Sequence, residues 1–459
     1  MKKDITQEEL EAQVVREAQG VLELVDANDI HPYKQNVKIH TEAKIQALAE
    51  NIHKFGLLNE IAIDKHGTII AGHARLAAVK LLGWNKVRCK RILHLDEAGV
   101  RILRLSDNRT AKGEDDKGIL KLELGEIHFM NTKYDITDTG YTTIEADFIL
   151  DEKPTKAASE KENSAPFVPE EEIVTQRGDI WQIGLHRIIC ASSLEDETFV
   201  RLMDGKLADM VLTDPPYNVS AKSIGSSGKT KHKDFAMAAG EMKESEFENF
   251  LYTCMALCAK YSGEKALSYF WIDWKSVETM IRAGRRVYEK FVNLCAWVKK
   301  TGGMGKLYRS RHELCTVWGK SAAYTDNVEL GKHGRYRTNC WEYDGVNSFG
   351  VHKSDLKFHP TVKPYEMFKD IILDASPRGG IILDVFLGSG TTLIAAEKSK
   401  RICYGVEYEP IFVDTAIRRF QDLFRIDAIH VESGKTYNEL LAEKKLANAV
   451  TPIVEVCDE

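Results

Sequence analysis

Between residues 179 and 424, short apolar runs and amphipathic runs take turns, and this alternation constrains the 459-residue chain more than any other feature. Met210–Leu212, Ala266–Ile272, Val292–Val298, Leu314–Trp318, Gly380–Val385 and Arg401–Val406 read as strands, several of them apolar throughout. Phe247–Lys260, Tyr365–Ala375, Thr391–Lys398 and Ile411–Phe424 carry apolar residues at helical spacing. Strands that feed helices return to one sheet by crossovers, so the expected architecture is α/β with a doubly wound, mostly parallel sheet. Asp179–Ile183 and Arg187–Cys190 add a hairpin around Gly184.

The stretch 151–172, DEKPTKAASEKENSAPFVPEEE, is charged, rich in Ser, Ala and Pro, and poor in large apolar residues. Such a composition buries no core and reads as a linker. It divides the chain into an extension (1–20), an N-terminal domain (21–150), a C-terminal domain (173–432) and a tail (433–459). In the N-terminal domain, Thr41–Phe55, His73–Leu82 and Asp96–Asn108 have helical spacing, and Glu60–Asp64, Thr68–Ala71 and Val87–Ile92 read as short strands. This is a small α+β domain.

Charge and cysteine content narrow the class. The formal net charge is −6, so any nucleic-acid surface must be a local basic patch. The nine cysteines are scattered, with no CxxC pair, and Cys254 and Cys258 lie on one apolar helical face. They are expected to be buried thiols in a reducing, cytoplasmic setting. No apolar run is long enough to span a membrane, and MKKDITQEEL lacks the apolar core of a signal peptide.

Three motifs carry chemistry. Thr213-Asp214-Pro215-Pro216-Tyr217 follows the strand ADMVL directly. Two prolines force a rigid extended loop at the carboxyl end of that strand, where open α/β sheets bind ligands. Asp214 and a proline carbonyl offer two acceptors to an exocyclic NH₂, and Tyr217 offers a face to an unstacked base. A simple turn is the plain alternative. The second motif is Ile381-Ile382-Leu383-Asp384-Val385-Phe386-Leu387-Gly388-Ser389-Gly390-Thr391-Thr392, an apolar strand running into a glycine turn that opens a helix. No Lys-Ser/Thr pair follows the second glycine and Leu393 occupies the place of a third, so neither a P-loop nor a full dinucleotide fingerprint is present. Glu407 ends the next strand, where a carboxylate accepts from ribose hydroxyls. The third motif is His359-Pro360-Thr361-Val362-Lys363-Pro364. By itself it reads as a loop before a helix, although Lys363 also offers a cation to a cofactor carboxylate.

In this order, DPPY, HPTxKP, FxGxG (Phe386, Gly388, Gly390) and the acidic strand end resemble the amino-methyltransferases of DNA, in the permuted arrangement of the β group. The resemblance covers about residues 175–430, with Trp297-x-Lys299 and His312-Glu313 also matching. It implies a Rossmann-like methyltransferase fold. It implies that Asp214, Pro215, Pro216 and Tyr217 bind the target base, and that Asp384, Phe386, Gly388, Ser389, Gly390, Thr391, Glu407 and Lys363 line an S-adenosylmethionine site. DPPY is typical of N6-adenine enzymes; N4 of cytosine stays an alternative. The family commonly has Gly-Asp-Ser or Gly-Asp-Cys after the first hairpin, where this chain reads Cys190-Ala191-Ser192-Ser193. Either Ser192 or a main-chain group takes over the contact that the family's Asp makes with the cofactor, or cofactor affinity is reduced, and a DNA-binding regulator with an inactive methylase half stays open. Methyl transfer of this kind needs no metal.

Lys299, Lys300, Lys306, Arg309 and Arg311, with Arg335 and Arg337 beyond, form a basic, glycine-containing cluster in an acidic chain, and double-stranded DNA is the expected partner. Lys222, Lys229, Lys231, His232 and Lys233 follow the DPPY motif in a loop suited to closing over DNA. Residues of about 20–112 resemble the ParB/sulfiredoxin-like superfamily through Ile45–Ile52, Phe55-Gly56-Leu57, Ile69–Ala78 and Asp107-Asn108-Arg109. The cysteine of sulfiredoxin chemistry is replaced by Ala74. A DNA-contacting or regulatory scaffold is the expected role; a nucleotide at Gly72, Arg75, Asn108 and Arg109 is the alternative, and a homodimer stays open.

Overall fold

The computed structural model describes residues 20–37, 41–110, 117–129, 136–151, 162–166, 168–218, 241–300, 302, 307–328, 337–344 and 363–450. The chain divides into two compact units, Met1–Glu152 and Lys153–Glu459.

The first unit holds a four-stranded sheet in the order β1 (Gly20–Asp26), β4 (Lys86–Ile92), β2 (Ile61–Ile63), β3 (Ile69–Ala71). The helices Glu42–Phe55 and His73–Leu81 supply Ile52, Leu76 and Val79 to a core shared with Ile61, Ile63, Val87 and Cys89. Gly56, at φ 78°, stops the first helix, and its N–H caps the Ile52 carbonyl at 2.8 Å. A second apolar cluster joins the helices Glu97–Thr110, Lys117–Phe129 and Thr143–Leu150 through Leu105, Leu124 and Ala146. The last of these helices starts on a Thr142–Glu145 capping box. Strand β1 escapes the sequence pattern because Leu22 and Leu24 are exposed and its inward face is only half-buried.

The second unit is built on a ten-stranded sheet. Its order is β11 (Cys340–Glu342), β9 (Lys290–Val298), β10 (His312–Gly319), β8 (Ser262–Ile272), β7 (Ala208–Thr213), β12 (Ile381–Asp384), β13 (Ile402–Glu407), β6 (His186–Cys190), β5 (Ile180–Ile183), β14 (Ala428–His430). The sheet is mixed. A continuous parallel centre runs from β8 through β7, β12 and β13 to β6. Antiparallel pairs flank it on both sides. Side chains of the central strands alternate between two cores: Ile382 and Trp271 face one, and Leu383, Phe270 and Ile272 face the other. Each such apolar side chain contributes roughly 1.5–3 kcal/mol by leaving water. The parallel centre brings the carboxyl ends of β8, β7, β12, β13 and β6 to one edge of the sheet.

Two expected boundaries are corrected. The end of the expected linker packs on the second unit: Val168 is buried, the Glu162 carboxylate pairs with Lys398 at 2.5 Å, and the Tyr365 N–H donates to Asn163 at 3.0 Å. Residues 437–450 of the expected tail form a helix anchored by buried Tyr437, whose ring meets Trp181 edge-on and whose hydroxyl donates to Asp414 at 3.1 Å. A few scattered anchors, Val168, Glu162 and Asn163 in one segment and Tyr437 in the other, dock these residues, too sparse a signal to register as periodicity. All eight described cysteines are free thiols, and Cys254 and Cys258 are buried. No helix among the described residues is long and apolar enough to cross a membrane.

Candidate active site

β7 and β12 are parallel neighbours, with Val211 opposite Leu383. Their carboxyl ends are tied together by the Thr213 hydroxyl, which donates to Asp384 Oδ1 at 2.7 Å and accepts from the Val385 N–H at 3.2 Å. The DPPY loop and the glycine turn therefore start side by side. Tyr217 and Phe386 pack into the same apolar cluster, and Phe386 also meets Phe250 at 5.9 Å.

Asp214 leaves β7 with its side chain 23% exposed. Its Oδ1 accepts from the Tyr217 hydroxyl at 2.6 Å, and its Oδ2 pairs with the Lys363 ammonium. Burial pushes the Asp214 carboxyl above its ordinary range, with Lys363 opposing. The Lys363 side chain is 4% exposed and also reaches Glu313 Oε2 at 3.0 Å and the Tyr217 hydroxyl at 3.2 Å. Glu313 pairs with Lys299 on its other oxygen. Burial disfavours the Glu313 charge, but Lys363 and Lys299 outweigh it and hold the carboxyl down at about 2. Lys363, which the resemblance places at the cofactor site, here bridges the two partly buried carboxylates of Asp214 and Glu313.

The glycine turn follows β12. Gly388 at φ 53° and Gly390 at φ 84° adopt left-handed backbone, and a Cβ on Gly390 would stand 2.9 Å from that of Ala416. Glu407, at the end of β13, accepts from the N–H groups of Gly388 at 2.8 Å and Glu409 at 2.9 Å. Burial first, and the nearby carboxylates of Asp384 and Glu409, raise its pKa to about 7. Asp384 is deeper. It takes hydrogen bonds from Thr213, Thr392 and the Phe386 N–H, and burial raises it to about 6. Its oxygens brace the turn. Ser389 and Thr391 are also buried, facing the Arg419 guanidinium. Phe386 and Gly388 stay half-exposed on the rim. Ser192 lies beyond β6, next to the end of β13, where the Ala191 N–H donates to the Glu407 carbonyl at 3.0 Å; its hydroxyl accepts from the Leu194 N–H at 3.2 Å. A nucleoside fits this edge: Glu407 retains lone pairs for hydroxyl donors, and the partly exposed Gly388 leaves backbone open to close approach.

The β9–β10 hairpin opens toward the same edge, since Leu314 pairs with Ile272 at the carboxyl end of β8. Lys299 pairs with Glu313, Lys300 with Asp344 at 2.6 Å, and the Arg309 and Arg311 guanidiniums donate to the Gly302 and Lys299 carbonyls. Lys300, Arg309 and Arg311 remain exposed. Arg337 does not belong with them. Its guanidinium is 19% exposed and fills the gap between Asp374 (2.8 Å) and Asp370 (3.4 Å), one helical turn apart. It is a structural clamp on the helix Tyr365–Ala375. Lys306, Arg335, residues 219–240 and 351–362, and the Arg109 side chain lie outside the described residues. In the first unit Gly72 sits at φ 111° ahead of the helix His73–Leu81, and Arg75 donates to the Glu60 carbonyl at 2.6 Å.

Glu313 is the main residue that motif reading left without a role. It shares a strand face with buried Cys315 and Val317, and a lone carboxylate on such a face was the available signal.

Comparison with known proteins places these features in families. Residues 208–418 match the family model described as DNA methylase, and residues 10–109 match that of the ParB N-terminal domain. The type II methyltransferase M.HpaI of Haemophilus parainfluenzae is 22% identical over 272 residues, which is 55% of this chain and 80% of that protein. The DNA adenine methyltransferase YhdJ of Escherichia coli K12 is 25% identical over 237 residues, 46% of this chain and 75% of that one. The crystal structure of an M1.HpyAVI–SAM complex aligns with a TM-score of 0.39 at 20% identity, over 51% of this chain and 98% of that one.

Proposed function

We infer, for a chain whose residues 208–418 match the DNA methylase family and whose residues 10–109 match the ParB N-terminal domain, that it methylates N6 of adenine in double-stranded DNA. The observation that carries this reading is the position of the Asp214 carboxylate, one residue beyond the Thr213–Asp384 bond that joins the DPPY strand to the glycine turn. A base amine held at Asp214 therefore lies beside whatever the turn binds.

S-adenosylmethionine, when bound, supplies an electrophilic methyl group. The chain does the rest by position. Asp214 and the Pro215 carbonyl accept the two amine hydrogens, which directs the nitrogen lone pair away from them, toward the turn. Tyr217 gives a flipped base a ring to stack on. Glu407 and the backbone at Phe386 and Gly388 hold the nucleoside part of the donor, with Ser192 at the neighbouring strand end. Lys299, Lys300, Arg309 and Arg311 line the way in and meet phosphates. Adenine is favoured by the Asp of DPPY and by the similarity to a protein named a DNA adenine methyltransferase. The ParB-like domain serves as a DNA-contacting or regulatory scaffold; calorimetry with nucleotides and sedimentation of the full chain test for a nucleotide site and a homodimer.

The test of the function is tritiated methyl transfer to unmethylated DNA, followed by digestion and chromatography of the nucleosides. Label in N6-methyladenine with wild type, and none with Asp214→Ala, is the expected result. Label in N4-methylcytosine would move the target to cytosine, and equal incorporation by the variant would overturn the catalytic assignment.

A further inference from the structure

The Tyr217 hydroxyl stands between two carboxylates. It is 2.6 Å from Asp214 Oδ1 and 3.4 Å from Glu313 Oε2. A phenol has one hydrogen to donate. The Lys363 ammonium fills three directions, toward Asp214 Oδ2, Glu313 Oε2 and the Tyr217 oxygen. The Tyr217 oxygen thus accepts from Lys363, and its own hydrogen must go to one carboxylate or the other. As the structure stands it goes to Asp214, so each oxygen of the catalytic carboxylate already accepts one donor before any base arrives, and an amine at Oδ1 must share that oxygen with the hydroxyl.

We propose that Glu313 is a positioning residue that receives the Tyr217 hydrogen bond when Asp214 turns to the nucleobase amine. Rotation of the hydroxyl hydrogen toward Oε2, with closure of the 3.4 Å gap, releases Oδ1 for the amine and leaves no buried donor unsatisfied. Asp214 exchanges one donor for another and keeps its charge compensated by Lys363 throughout. Glu313 suits the role because Lys363 and Lys299 keep it ionised, and so a pure acceptor, at neutral pH. Without this second acceptor the hydroxyl would stay on Asp214 and compete with the substrate. The inference rests on Asp214 being the acceptor of the base amine, as proposed above.

A double-mutant cycle on the full chain, in single-turnover methyl transfer with saturating S-adenosylmethionine, tests it. Glu313→Gln replaces a charged acceptor by a neutral one, and the rate of transfer is expected to fall about tenfold, with KM for DNA changed less than about twofold. In Tyr217→Phe no hydroxyl needs to move, so adding Glu313→Gln is expected to change the rate by less than about twofold. An equal loss in both backgrounds would overturn the proposal and leave Glu313 a mere partner of Lys363. If Glu313→Gln folds poorly, Glu313→Asp keeps the charge and withdraws the carboxylate by one methylene. Its loss must likewise vanish in the Phe background. A wild-type protein that methylates no DNA would instead sink the functional reading itself.

Discussion

Lys363→Met is the most informative single substitution, because it removes one buried charge and keeps the shape of the stem. The ammonium is 3.0 Å from Glu313 Oε2, bonds directly to Asp214, and belongs to a side chain only 4% exposed. Its removal leaves two partly buried carboxylates with Lys299 as the remaining cation, on the far oxygen of Glu313. Breaking a buried pair from one side costs about 3–5 kcal/mol. The sign with pH follows from the two carboxyls. Burial already holds Asp214 above its unfolded value; loss of Lys363 raises it further and releases Glu313 from its depressed value of about 2. The folded variant then binds more protons than its unfolded chain, so its stability falls as pH rises, by up to about 1.4 kcal/mol per pH unit for each proton. Urea unfolding followed by tryptophan fluorescence at steps from pH 4 to pH 8 measures this. The gap to wild type is expected to be small near pH 4 and to widen toward neutrality. Methyl transfer by the variant should be lost at neutral pH. A gap that does not change with pH would refute the shared-cation account.

Other outcomes follow from the same geometry. Glu407 titrates near 7, and its neutral fraction grows as pH falls, so affinity for S-adenosylmethionine should weaken by up to about tenfold per unit below that point, with Glu407→Gln giving a flat profile by calorimetry. A flat profile for wild type would remove Glu407 from the donor site. Gly390→Ala places a Cβ 2.9 Å from Ala416 at a φ of 84°; the backbone term alone costs roughly 1–2 kcal/mol, read as a lowered thermal midpoint together with weakened cofactor binding. Lys300→Ala and Arg311→Ala should each reduce the slope of log K for DNA against log salt by about 1, while Arg337→Ala leaves the slope alone and destabilises the fold by about 3 kcal/mol. A changed slope for Arg337→Ala would return that residue to the DNA surface.

The centre of the fold was legible because its strands are apolar on both faces and its helices keep their period. Thr391–Lys398 and Tyr365–Ala375 match the sequence boundaries residue for residue. The edges were less legible. β1, with Leu22 and Leu24 turned to solvent, β14 and the helix Tyr437–Val450 owe their structure to partners distant in sequence, which no local pattern encodes. The mixed flanks of the sheet are equally invisible, since a buried strand reads the same in either direction. At the site, the DPPY loop and the glycine turn announced themselves by backbone chemistry, whereas the roles of Lys363 and Arg337 depended on which carboxylates, and that of Asp384 on which hydroxyls, the fold brought alongside. Sequence gives the charge of such residues and not the partner.

The central claim is that one edge of the sheet holds a nucleobase amine at Asp214 and a sulfonium donor on the turn that follows Asp384. A crystal structure of the full chain with an unreactive analogue of S-adenosylmethionine and a DNA duplex carrying its target adenine tests it most directly. The prediction is an adenine outside the helix, stacked on Tyr217, its N6 on the Asp214 carboxylate and the Pro215 carbonyl, with the analogue's ribose at Glu407. A base still paired within the duplex, or an analogue bound away from residues 386–390, would contradict the account.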